Sequence, residues 1–395
     1  MALKTLDKFK DALKERPLEL ADSRLEGKKV IGWIGYYVPE EVIHALGLIP
    51  IRIGRGGDDR LAEMGSNYIS TQNCIFLREC VGLFAENKDP YVRNLDAVVV
   101  DAACLQMYRM SSIIKYYFQV NTLVLGVPRN FYLPDGRDYF QKEVGFLVER
   151  LEKIAGQKLD PEKLAASARL YDEITHAVRE LYMFPSLYCQ PIKWREVFEA
   201  VQAGYVLDKE KYLSLLNDLI AELKEQSESC GGVSPEKGVR IFLTGSAIHP
   251  GDTKLIDIIE ASGGRVVCDN LWSGLAPYID KKIEGTTLND IADAYLGRVP
   301  APALPYFDST SDPRLKILKH LVDEREVNGV IYYTLRYCDS ANFKVRNTKN
   351  ALAGSDVPLL NIHTEYSGSD VGTIRTRVEA FIEMLSATGD KEMRQ

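Results

Sequence analysis

Apolar and charged positions alternate at helical spacing from the first residues to Gly27, which predicts an amphipathic helical arm over residues 1–28. Short, continuous apolar runs follow, with helical stretches between them. Residues 29–37, 49–53, 95–100 and 121–127 are predicted strands. Pro39-Glu40-Glu41 opens a helix through Ala45 and Leu46, because proline suits a first helical turn and acidic side chains complement the N-terminal dipole. Gly54, Gly56 and Gly57 end the second strand. Strands that are apolar throughout belong to a parallel sheet covered on both faces.

The pattern changes over residues 141–230, which are rich in Glu, Lys, Leu and Ala at a 3.6-residue period and poor in strand-like runs. This predicts a mostly helical segment, broken near Phe184-Pro185, whose charged faces read as solvated surface. After Gly231-Gly232 the strand–helix pattern returns, with strands predicted at 239–244, 265–268, 328–334 and 357–362. Helices are predicted at 254–262, 313–326 and 371–385, the last with Val378, Phe381 and Leu385 on one face. The expected fold class is α/β: two doubly wound parallel-sheet (Rossmann/flavodoxin-like) domains, at 29–140 and 239–395. A helical arm (1–28) precedes them and a helical segment (141–238) lies between them.

Composition narrows the function. With 395 residues, 46% apolar and 27% charged, the chain reads as a soluble protein of more than one domain. Its net charge of −7 and lack of a basic stripe argue against nucleic acid. No apolar run approaches the roughly 18 residues of a membrane span, and the charged N-terminus has no apolar signal-peptide core. A cytoplasmic location, with no membrane partner, is the expectation.

Seven cysteines do not make a disulfide scaffold in a chain of this size, and no C-x-x-C occurs. Any metal site must therefore gather its ligands from distant segments. Cys104 follows the third predicted strand, Cys338 follows the strand at 328–334, and each is followed by a helix and a further strand. Ligands of open α/β sheets bind at those strand ends, so two facing domains would bring the two thiols together. Either alone is explained as a buried thiol; together they point to soft-ligand chemistry such as iron–sulfur ligation. Cys74, just before a helix whose N-terminus favours a thiolate, is the natural third ligand. Cys80, six residues on, reads as a packing thiol.

Several segments resemble the subunits of 2-hydroxyacyl-CoA dehydratases and benzoyl-CoA reductases, a family that includes double-cubane cluster reductases. They are Gly35-Tyr36-Tyr37-Val38-Pro39-Glu40-Glu41, Ala45-Leu46-Gly47-Leu48-Ile49-Pro50, the three cysteine contexts and Thr244-Gly245-Ser246. The run Ile258-Ile259-Glu260-Ala261-Ser262-Gly263-Gly264 belongs with them. The C-terminal run with Glu365-Tyr366-Ser367, Asp370-Val371-Gly372 and Thr376-Arg377-Val378-Glu379-Ala380-Phe381 is the clearest. The resemblance implies one [4Fe-4S] cluster held by Cys74, Cys104 and Cys338, with one iron open to a further ligand. Double-cubane members carry extra cysteines within the segment 269–274 and near 305–308; this chain has none in either place, although Cys268 lies just before the first, which argues for a single cubane and leaves Cys189, Cys230 and Cys268 as bystanders. The implied partners are an acyl-CoA substrate, a paralogous second subunit or second copy, and a separate ATP-hydrolysing iron–sulfur activator. In the dehydratases, an electron delivered to the thioester carbonyl gives a ketyl radical that expels the 2-hydroxyl group. In the reductases, electrons reduce an aromatic ring. A non-catalytic electron-transfer subunit is a third reading.

Other candidates lie on loops expected to face the same cleft. Ser246 and His249 lie in a strand–helix loop that can present N–H groups to a phosphate or carboxylate. The loop lacks the G-x-x-x-x-G-K-[ST] of a P-loop, so ATP binding by this chain is not expected. His249 is a candidate acid or thioester hydrogen-bond donor, and Arg55, in a flexible glycine-rich loop, a candidate for CoA phosphates. Glu365 and Tyr366 follow the last strand, and Trp272 can shape an apolar pocket. Plain structural roles, as solvated turn or cleft wall, remain open for each.

Overall fold

The computed structural model describes residues 3–228, 238–306 and 311–392. Helix α1 (Lys4–Leu25) precedes a sheet of β1 (Val30–Ile34), β2 (Ile49–Arg52), β3 (Ala97–Asp101) and β4 (Thr122–Leu125). Its connections hold α2 (Glu40–Ala45), α3 (Asp59–Gly65), α4 (Ile75–Glu86), α5 (Pro90–Arg93) and α6 (Leu105–Phe118). Helices α7 (Pro134–Ala155), α8 (Pro161–Leu181), α9 (Trp194–Gly204) and α10 (Lys209–Glu228) follow. The second sheet contains β5 (Val239–Gly245), β6 (Gly264–Asp269), β7 (Gly329–Leu335) and β8 (Leu359–Thr364). With it go α11 (Lys254–Ala261), α12 (Leu288–Gly297), α13 (Pro313–Glu324), α14 (Asp339–Leu352) and α15 (Val371–Glu392).

Both sheets are parallel and share one connectivity, β2-β1-β3-β4 and β6-β5-β7-β8. The chain direction across each sheet reverses between β1 and β3, and between β5 and β7, the switch points at which doubly wound sheets bind ligands. Every residue of β1, β3, β5, β6 and β7 is buried, which is why β1, β3 and β7 are largely apolar without alternation, while β5 and β6 also bury Arg240, Thr244, Arg265 and Asp269.

The first strand stops earlier than its apolar run because Gly35 turns the chain at φ +132°. A Cβ there would sit 2.3 Å from the Asp101 carboxylate. That carboxylate instead accepts the N–H groups of Tyr36 and Tyr37, the latter at 2.7 Å. Gly245 ends β5 in the same manner, at φ +113° and against the Tyr333 carbonyl of the neighbouring strand.

Other differences have physical causes. The helix expected from 141 starts at Pro134, a proline at its first turn. The charged face of the middle helices is not all solvated. Lys209 is 4% exposed and pairs with Glu40 at 2.7 Å, and Lys281 pairs with Glu41 at 2.5 Å. These pairs join α2 to α10 and to the loop after β6. Helix α12 carries no sequence expectation. Nor is the Gly54–Gly57 loop free: a Cβ on Gly57 would meet the Gly251 carbonyl at 2.4 Å, so the two halves meet backbone to backbone there. Among the described residues no helix is long and apolar enough to cross a membrane.

Candidate functional site

Three helices begin with a cysteine. Cys74 is the N-cap of α4, Cys104 of α6 and Cys338 of α14. The last two occupy equivalent places, after the third strand of their sheets, as the matched strand-end pattern predicts. Each N-cap stands among N–H groups with no helical acceptor, at the positive end of a helix dipole, a setting that favours a thiolate.

The three cysteines border one cavity of about 450 Å³. Its walls include Gly35, Tyr36 and Asp101 from the first switch point and Ser246, Ala247 and Leu335 from the second, so it spans the carboxyl ends of both sheets. The Cys104 sulfur accepts from the Met107 N–H at 3.4 Å, yet burial pushes its thiol up to about 11. Cys338 is held below the usual thiol range, chiefly because the Cys74 thiol donates to it, with the Ala341 N–H and Ser246 hydroxyl adding to the effect. Cys74, as donor in that bond and buried, is pushed above its ordinary range.

Among the described residues, no group of three or more His, Cys, Asp or Glu closes around a single metal ion. A cubane makes a different demand: its thiolates bind separate irons and therefore ring a void. Three helix-capping thiols around a shared cavity meet that demand in donor type, and Cys74 and Cys338, hydrogen-bonded to each other here, would have to part to bind separate irons.

The other expected site residues divide. Ser246 borders the cysteine cavity and is buried, its oxygen accepting from the Leu335 N–H at 3.1 Å. Trp272 lies on the same wall. Tyr366 is buried and donates to the Ala247 carbonyl at 3.3 Å, one residue from Ser246. Glu365 accepts from Arg78 of α4 at 3.1 Å, tying the end of β8 to the helix that Cys74 caps. His249 is not on this cavity. It is buried, stacked on Phe76 with ring centres 4.2 Å apart, and borders a separate cavity together with Arg55. Burial and the Arg52 charge hold its imidazole well below its ordinary range, hence neutral. Arg55 is half exposed and pairs with Asp89 at 3.1 Å.

Cys80 is fully buried inside α4 and Cys268 inside β6, while Cys189 lies in a turn after the 3-10 helix Phe184–Ser186. Cys230, and residues 307 and 308 of the second double-cubane segment, lie outside the described residues. Sequence reasoning assigned no role to Asp101, Arg109 or Arg129, all on the cavity wall. Arg129 donates to the Ala103 carbonyl at 2.7 Å, beside Cys104. The available signal was position, since Asp101 ends β3 and Arg129 follows β4.

The sequence model of the family 2-hydroxyglutaryl-CoA dehydratase, D-component, matches residues 35–385. A subunit of the benzoyl-CoA reductase of Thauera aromatica is 25% identical over 362 residues, 91% of each chain. The (R)-phenyllactyl-CoA dehydratase beta subunit of Clostridium sporogenes is 24% identical over 390 residues, 97% of this chain and 99% of its own. Lactoyl-CoA dehydratase subunit beta of Anaerotignum propionicum is 23% identical over 383 residues, 96% of this chain and 98% of its own.

Proposed function

The chain belongs to the 2-hydroxyglutaryl-CoA dehydratase D-component family, and on that premise we propose that it is the [4Fe-4S]-bearing subunit of an ATP-activator-dependent 2-hydroxyacyl-CoA dehydratase. The observation that carries this reading is the convergence of Cys74, Cys104 and Cys338, each a helix N-cap, on one cavity between the sheet ends. Those three residues would hold the cluster. When bound, it would supply low-potential electron transfer with one iron open to a further ligand.

The protein's own part is to build and shield that place. Three helix N-termini compensate the negative charge of the thiolates. Ser246 donates to Cys338 and Met107 N–H to Cys104, which orients two of the sulfurs. Tyr366 holds Ala247 on the wall, and the Glu365–Arg78 pair fixes α4 against the second sheet. Tyr366 and Glu365 are thus positioning residues in this reading. The remaining wall is largely apolar, from Leu77, Ala103, Leu105, Met107, Ala301 and Pro302, and keeps water scarce.

Family relatives are named as subunits, and this chain is proposed to work with a paralogous subunit or a second copy. The likeness to a benzoyl-CoA reductase subunit keeps aromatic acyl-CoA reduction as a second reading.

The test is iron and acid-labile sulfide analysis of anaerobically purified protein. About four irons per chain are expected from one cubane. Cys338→Ala should lose them and Cys268→Ala should keep them; the opposite pattern rejects the ligand set. Product analysis with a 2-hydroxyacyl-CoA and an aromatic acyl-CoA then separates dehydration from ring reduction.

A further inference from the structure

A second space, of about 50 Å³, lies beside the cysteine cavity and shares Gly35, Tyr36 and Trp272 with it. Two arginines from distant segments border it: Arg52, ending β2, and Arg298, just past α12. They are 8% and 4% exposed. Their flat faces are covered. Arg52 lies 4.3 Å from the Tyr205 ring centre, and Arg298 lies 4.0 Å from that of Tyr36 and 4.3 Å from that of Tyr295. Their edges are not satisfied. Arg52 Nη1 and Arg298 Nε and Nη2 have no hydrogen-bond partner, and the bonds these arginines do make, to the Gly35 and Pro277 carbonyls, are long at 3.5 and 3.4 Å. Trp33 Nε1 and the Tyr212 hydroxyl, on the same wall and buried, are also unpartnered.

Each of these five atoms can donate a hydrogen. The carboxylates nearby are already engaged. Glu40 takes Lys209 and the Tyr171 hydroxyl, and Glu41 takes Lys281 and the Tyr295 hydroxyl. Asp101 accepts from the backbone N–H groups of Tyr36, Tyr37 and Ala103 and makes no hydrogen bond to either arginine. Neither buried guanidinium therefore hydrogen-bonds a carboxylate. Unpaired buried cations with unfilled donors are costly. Water would fill the donors but leave the charge; an anion with several acceptor oxygens answers both. The space exceeds the roughly 10–15 Å³ that one water needs and suits a group of a few heavy atoms.

We infer that this space is a binding site for a small oxyanion, phosphate-sized or smaller, gripped edge-on by Arg52 and Arg298 with Trp33 and Tyr212 as further donors. Guanidinium edges match such an anion in geometry as well as charge. The site does not depend on the cluster, so its test is independent of the function proposed above.

The experiment is equilibrium dialysis of the full chain against radiolabelled inorganic phosphate, with ionic strength fixed by potassium chloride. Saturable uptake approaching about one phosphate per chain is expected, with Arg298→Gln weakening it about tenfold or more, the loss of a charge-assisted pair. Tyr212→Phe keeps the ring and removes one donor; it should weaken binding by about threefold to tenfold and carries the test if the arginine variant does not fold. Competition with coenzyme A identifies the source: displacement means that a phosphate of that molecule enters the site, and no displacement means that a free oxyanion does. Absence of saturable uptake, or equal uptake by the wild type and these variants, overturns the site and leaves a water-filled void.

Discussion

At the scale of single residues, the buried groups around the cysteine helices have testable consequences. Glu79, fully buried in α4, accepts one N–H, from Asp58 at 3.2 Å, and its other oxygen has no partner. Burial pushes its carboxyl up to about 9. The folded protein therefore keeps a proton that the unfolded chain releases near pH 4.3. The stability that this group contributes is fully present below that pH and is lost as pH rises toward 9. Glu79→Gln, neutral at every pH, should gain on the wild type as pH rises from 5 to 8, by up to about 1.4 kcal/mol per pH unit, or roughly 4 kcal/mol at the upper end. Denaturant melts at several pH values read this directly, and parallel curves would show that Glu79 is not the titrating group. Tyr366→Phe removes the hydroxyl that holds Ala247. It should leave iron content unchanged and lower turnover by about tenfold, the cost of one positioning hydrogen bond. Loss of iron would instead mark Tyr366 as part of the cluster's support.

At the scale of elements, the placement of Cys74 depends on how closely α3 and α4 pack. A Cβ on Gly65 would fall 1.9 Å from the Arg78 carbonyl, and one on Gly82 2.0 Å from the Leu61 carbonyl. The two helices touch through backbone at both points. Gly82→Ala must push α3 and α4 apart, which should cost roughly 1–3 kcal/mol and move the helix that begins at Cys74. The expected outcome is a lower midpoint in urea together with reduced iron uptake. Full iron uptake at unchanged stability would show that the helix pair tolerates separation. The sequence gives Gly65 and Gly82 no special mark, since glycine within a helix is ordinarily only a modest penalty.

At the scale of the whole molecule, the two sheets repeat one topology and direct their strand ends at each other. The Arg78–Glu365 pair, the Gly57–Gly251 contact and the Tyr36 hydroxyl's bond to the Val299 carbonyl at 2.7 Å join the halves. In the proposed function the chain supplies cluster and cavity while a separate protein supplies ATP-driven electrons. Turnover of the assembled enzyme with ATP and a strong reductant should therefore appear only when the activator is added. ATP hydrolysis by this chain alone would overturn that division of labour.

Much was decided by local chemistry and so could be read along the chain. The continuous apolar strands, the proline and acidic residues opening α2, and the cysteines following β3 and β7 each owe their form to immediate neighbours. They led to the α/β class and to the cysteine trio. The tertiary structure alone decided what depends on packing between distant segments. It put His249 against Phe76 on a separate cavity from Ser246, buried Lys209 on a helix face that reads as solvated, and closed the Gly54–Gly57 loop onto Gly251. It also brought Arg52 and Arg298 to one space. These residues are separated by tens to hundreds of positions, and periodicity says which face of an element is apolar but not which partner covers it. Burial, charge pairing and hydrogen-bond satisfaction arise only when that partner arrives.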